Sequence, residues 1–247
     1  MRRIAVLLVA AACSSKPPPP TVRVAAASSL VHAFHELAPE FERQTGIAAV
    51  VQFDASGVLA EQIERGEPFF LFAAANKDFV DRVVAAGRCD GATVQPYAQG
   101  RLAVWSRGAG PAKLADLADP RFRRIAIASD VQAPFGKAAR EALLAAGIAD
   151  AVAGKLVVTT NAELAMQEAR DGRADAALVP LSLAVVTDGG GFLRIDPALH
   201  TPFEQTLVVC GNGEEADRAR RLAQFIASAD GREMMARYGF SLPRTPP

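Results

Sequence analysis

Val22-Arg23-Val24-Ala25-Ala26-Ala27-Ser28-Ser29-Leu30 is the stretch on which the fold turns. It reads as a strand of small and β-branched residues that ends in two serines and passes at once into a helix. Leu30, Phe34, Leu37, Ala38 and Phe41 fall on one apolar stripe of a 3.6-residue period. A serine at such a junction can cap the first helical turn with its hydroxyl. The unpaired N–H groups and the positive dipole end of the helix face whatever lies beyond the strand. A single junction of this kind is an ordinary cap. Here it recurs.

Working outward, strands are expected at residues 47–53, 69–74, 101–105, 124–128, 156–159, 176–180, 192–195 and 205–210. Helices are expected at 30–45, 58–65, 76–86, 114–117, 137–146, 162–171, 214–228 and 231–237. Thr160 and Glu163 have the spacing of a capping box. Strands that alternate with helices imply an α/β fold, with mostly parallel sheets covered on both faces. Four strand-to-helix junctions then stand out: Ser28-Ser29, Ala55-Ser56-Gly57, Pro134-Phe135-Gly136 and Asn161-Ala162. Ligands of open α/β sheets sit beyond the carboxyl ends of the strands. Converging helix N-termini there would hold an anion through neutral donors. Four structural caps would leave the same pattern.

Composition narrows the classes. The chain has 247 residues, half of them hydrophobic, with 27 basic and 27 acidic side chains. That is ample for a core in one domain or two modest ones, and the lack of a basic surplus argues against a nucleic-acid binder. Residues 1–13 read as an export signal: Arg2 and Arg3, an apolar run over 4–9, then Ala10-Ala11-Ala12 before Cys13. A small residue followed by Cys resembles a bacterial lipoprotein signal, with a lipid anchor at Cys13; plain periplasmic export is the alternative. Residues 14–21, with Pro17-Pro18-Pro19-Pro20, form a stiff spacer. Cys89 and Cys210 remain; export permits a disulfide, but two cysteines do not fix a pairing.

Taken in order, these segments resemble the molybdate-binding proteins of bacterial ABC importers, within the type II periplasmic binding protein superfamily. The resemblance is carried by Ala25 to Leu30, Phe53 to Leu59 around Ser56, and Ala60-Glu61-Gln62-Ile63. Asp116-Leu117, Arg124-Ile125-Ala126, Asp130 with Pro134-Phe135-Gly136, and Arg237-Tyr238-Gly239-Phe240 complete it. It implies two lobes joined by a hinge, each a mostly parallel sheet flanked by helices. Lobe one would be residues 22–99 and 204–247, lobe two 100–203. It also implies a cleft for a tetrahedral oxyanion, molybdate or tungstate, and an inner-membrane ABC permease as partner. Ser29 and Ser56 would supply hydroxyl and N–H donors, and Phe135 and Ala162 backbone N–H groups. Pro180 stands where the family often has a tyrosine, and proline offers neither hydroxyl nor N–H. Phe135 replaces a small residue, and Phe70 a frequent Asp.

A solute-binding protein of the periplasm, monomeric and without cofactor, is therefore expected. Sulfate or a small organic anion in the same fold is the alternative. A different class, an exported serine hydrolase, would pair Ser29 or Ser56 with His32 or His35. No G-x-S-x-G elbow is present, and His32 would sit one turn into the helix. His32, His35 and Glu36 could in principle ligate zinc, but an exposed polar helix face explains them more simply. Asp54 could act as a cap or as an acceptor behind the site; beside a dianion it would otherwise repel, so it is expected to point away from the cleft.

Overall fold

A computed structural model describes residues 19–241; the signal segment with Cys13 and most of the spacer lie outside them. The first half of the chain runs β1 (Thr21–Ala27), α1 (Val31–Thr45), β2 (Ala48–Asp54), α2 (Ser56–Glu64), β3 (Leu71–Ala74), α3 (Lys77–Ala85) and β4 (Gln95–Gln99). It continues through β5 (Leu102–Arg107), β6 (Ile125–Ala128), α4 (Pro134–Ala145), α5 (Ala149–Ala153), β7 (Leu156–Thr159), α6 (Ala162–Arg170), β8 (Ala176–Pro180) and α7 (Leu181–Ala184). The last elements are β9 (Gly190–Arg194), β10 (Glu204–Val209), α8 (Glu214–Ala227) and α9 (Ala229–Arg237). Among these residues no helix is long and apolar enough to cross a membrane.

Two five-stranded sheets result, in the orders β2-β1-β3-β10-β4 and β7-β6-β8-β5-β9. In each, one strand is reversed against four parallel ones: β10 in the first and β5 in the second. This is the two-lobed, mostly parallel α/β architecture expected. Val22, Val24, Ala25 and Ala26 of β1 are fully buried, because a strand covered on both faces has no solvent side to alternate toward. The stripe of α1 lies on this sheet, with Leu37 and Phe41 fully buried and Phe41 against Phe225 of α8 at 5.7 Å between ring centroids. Truncating Phe41 to alanine there would cost about 3–5 kcal/mol.

The chain crosses between the lobes twice, just after β4 and just before β10. The two crossings lie side by side: Gly100 N–H donates to the Phe203 carbonyl at 3.0 Å. A Cβ on residue 100 would stand 2.0 Å from the Phe203 ring, so glycine leaves room for that ring where it packs on Phe135. Cys89 and Cys210 form a disulfide within the first lobe, stapling the segment after α3 to the end of β10 across 121 residues.

Local readings are corrected in three places. Residues 95–99 form a strand that the pattern did not announce. Asn161, not Thr160, caps α6, its Oδ1 accepting from Leu164 N–H at 3.0 Å. Finally, neither Ser29 nor Ser56 caps a helix with its side chain.

Candidate functional site

All five expected site positions are buried where the two lobes meet. Ser29 follows β1 in a single 3-10 turn, Ser28–Leu30. Ser56 and Ala162 open α2 and α6, Phe135 is the second residue of α4, and Pro180 ends β8. Ser29 is 2 % exposed, Ser56 1 %, and Phe135 and Ala162 3 % each.

The serine hydroxyls are engaged inside lobe one. Ser56 Oγ accepts from Ala75 N–H at 2.9 Å, which leaves its own proton to donate elsewhere. Ser29 Oγ lies 3.2 Å from the carboxamide of Gln205, on β10. That carboxamide in turn meets the Tyr97 hydroxyl at 3.2 Å, and the hydroxyl reaches the Ala74 carbonyl at 3.0 Å. The two serines thus end one buried polar chain, Ser29–Gln205–Tyr97–Ala74, continued by the peptide to Ala75 and Ser56. Burial pushes the Tyr97 phenol up, so it stays a neutral donor. Gln205 and Tyr97 were not singled out from the sequence. Gln205 signals itself only as a polar side chain inside a buried strand, with partners over a hundred residues away, and Tyr97 lies in a strand the pattern did not announce.

Contacts across the lobes position the remaining residues. Ser182 Oγ, two residues beyond Pro180, donates to the Ser29 carbonyl at 2.8 Å. Gly57 N–H donates to the Gln132 carbonyl at 2.9 Å, and Gln132 Nε2 to Glu61 Oε1 at 3.0 Å. A side chain on residue 57 would collide with Gln132, whose Oε1 would lie 2.0 Å from the new Cβ. Asp54 does not point away from the interface: its Oδ1 accepts from Ala55 N–H at 2.8 Å and from Asn161 Nδ2, on the other lobe, at 2.9 Å. The Phe135 ring packs edge-on against Phe203 at 5.1 Å. Between Phe135, Ser182, Gln205 and Arg101 a cavity of only about 10 Å³ remains, the room of about one water molecule. The lobes are shut on each other here.

The chemistry on offer is donation. None of the five positions is charged, and three helix N-termini, those of α2, α4 and α6, open at this interface. The hydroxyl contacts of Ser29 and Ser56 run to Gln205 and Ala75, so neither serine is paired with a histidine as a nucleophile requires. His32 and His35 stack edge-on at 6.1 Å, and among the described residues no cluster of three or more His, Cys, Asp or Glu could hold a metal ion.

Comparison with known proteins accords with this geometry. A family described as bacterial extracellular solute-binding protein matches residues 22–241. The molybdate-binding protein ModA of Azotobacter vinelandii is 28 % identical over 250 residues, 98 % of each chain. The solved periplasmic molybdate-binding protein of Azotobacter vinelandii superposes with a TM-score of 0.85 at 24 % identity, over 90 % of this chain and 100 % of that one. The sulfate-binding protein SubI of Mycobacterium tuberculosis H37Rv gives 0.77 at 16 % identity, over 91 % and 88 %.

Proposed function

The chain belongs to the family of bacterial extracellular solute-binding proteins, and we propose that its work is capture rather than chemistry: it holds molybdate or tungstate between its lobes and hands it to an ABC permease. In this reading the hydroxyls of Ser29 and Ser56 and the backbone N–H groups of Phe135 and Ala162 surround the anion, while Pro180 closes the wall without contributing a donor. The observation that carries it is the polar chain joining the two serines, which fixes both hydroxyl oxygens from behind in a buried interface. The names of the relatives support the same ligand class. Export places the protein in the periplasm, with Cys13 as its lipid anchor.

A site built of donors suits a fully deprotonated tetrahedral dianion. The proton of hydrogen phosphate would meet a donor with nothing to accept it. A ligand bound only by the folded state stabilises it by about 4 kcal/mol at a thousandfold excess over its dissociation constant. At roughly 2–4 °C per kcal/mol for a protein of this size, melting should rise by roughly 8–16 °C with molybdate or tungstate. Phosphate and small carboxylates should leave it unmoved. A rise with phosphate or a carboxylate alone overturns the assignment. Sulfate is the second reading, favoured by the Phe135 ring, which narrows the interface; a rise with sulfate exceeding that with molybdate would select it.

A further inference from the structure

Tyr97 has one hydroxyl proton and two partners, the Ala74 carbonyl oxygen at 3.0 Å and the Gln205 carboxamide at 3.2 Å. A carbonyl can only accept, so the first contact is a hydrogen bond only if Tyr97 donates to it. The Gln205 atom facing Tyr97 must then be the donor. A carboxamide fits its pocket in two orientations related by a half turn, and the hydrogen-bond network decides between them. With the nitrogen inward, its two N–H groups serve Tyr97 Oη and Ser29 Oγ, and every contact is satisfied. With the oxygen inward, two hydroxyl protons converge on one acceptor. Tyr97 then has one proton for two acceptors, and one of its two contacts is left without a donor.

We propose that Gln205 turns its carboxamide nitrogen toward Ser29 and Tyr97 and is thereby the positioning residue that keeps Ser29 a hydrogen-bond donor to the bound anion. The proposal rests on the oxyanion reading of the cleft. Gln205 is 1 % exposed on β10, held between β3 and β4. Nitrogen inward, Ser29 Oγ accepts from behind and its proton is left to point into the cleft, as the proton of Ser56 is left by Ala75 N–H. The two serines then present matched donors. Oxygen inward, Ser29 would give its proton away and turn a lone pair toward a dianion.

Two measurements test this. In the full chain labelled with ¹⁵N-glutamine, the Gln205 side-chain amide protons should show cross-relaxation to the Ser29 β protons and the Tyr97 ring. Their absence overturns the orientation. In calorimetric titration with molybdate, Gln205→Met should weaken binding by about tenfold, one hydrogen bond's worth. In the Ser29→Ala background the same change should cost less than about twofold, because the residue acts only through Ser29. Equal losses in both backgrounds would make Gln205 a packing residue and overturn its positioning role. If the unaltered protein binds no oxyanion, the reading of the cleft falls, while the amide cross-relaxation still decides the orientation.

Discussion

Asn161 Nδ2 donates to Asp54 Oδ1 at 2.9 Å, joining the first turn of α6 in one lobe to the last residue of β2 in the other. The same Asn161 carboxamide accepts Leu164 N–H through its oxygen, so one side chain both caps a helix and fastens that helix across the interface. Asp54 is equally committed, its Oδ1 also holding Ala55 N–H one residue before Ser56. The start of α2 and the start of α6 are therefore set relative to each other by a two-residue clamp.

Asp54→Ala should weaken anion binding by favouring separated lobes. A hydrogen bond to a charged group in a partly buried site contributes about 1–2 kcal/mol, or roughly 5- to 30-fold in affinity. Calorimetry gives the affinity, and small-angle scattering should find a larger radius of gyration for the unliganded variant. An unchanged radius and affinity would reduce the contact to a local turn.

Ser29→Ala and Ser56→Ala should each lower affinity for molybdate by about 1.5–3 kcal/mol, the worth of a hydrogen bond to a charged group. They should differ in stability. Ser56→Ala strands Ala75 N–H in a buried site, at a cost of about 1–3 kcal/mol. Ser29→Ala leaves a carboxamide that still has Tyr97. Melting temperatures beside the titrations separate the two effects. Full affinity in both variants would return the serines to a structural role.

Much of this was legible in the chain. Small and β-branched runs followed by 3.6-period stripes placed β1, α1 and the four junctions, because burial on both faces of a parallel sheet leaves a strong local signature. Strand β4 was not legible: Gln95-Pro96-Tyr97-Ala98-Gln99 has polar ends and a proline, tolerable because β4 is an edge strand with a bulge opposite. The hydroxyl partners of Ser29 and Ser56 escaped for a different reason. A serine before a helix looks like a cap, and what diverts it lies in β10 or after β3, brought near only by sheet order. Asp54 is the acceptor its type allows, but charge alone misjudged where it points. Its neighbour Asn161 comes from the other lobe.

His32 should make folding sensitive to mild acid. Burial lowers its pKa below the usual 6.5, with Glu163 opposing the shift and His35 and Arg170 reinforcing it. Protonation therefore favours the unfolded chain. The stabilisation is complete above the unfolded pKa and is lost as pH falls through the depressed folded value. Between about pH 7.5 and about pH 5 the melting temperature should fall further for the native protein than for His32→Gln. Parallel curves would show that His32 does not report on folding.

Removing the Cys89–Cys210 disulfide should destabilise the first lobe. Closing a loop of 121 residues constrains the unfolded chain, and native disulfides typically contribute about 2–4 kcal/mol. The double Cys→Ser variant should melt roughly 4–16 °C lower, with molybdate still bound at low temperature, since neither cysteine lines the interface.

Strand β10 lies between β3 and β4, and this orders events during synthesis. The second sheet is complete once residue 194 has emerged, whereas the first lacks its fourth strand, the one that joins β4 to the rest, until residues 204–209 arrive. In that interval β3 and β4 each present an unpaired edge, and such edges recruit other chains. A chain stalled or truncated before β10 should therefore hold one finished lobe and one sticky half-sheet, the form that chaperones and proteases would meet first.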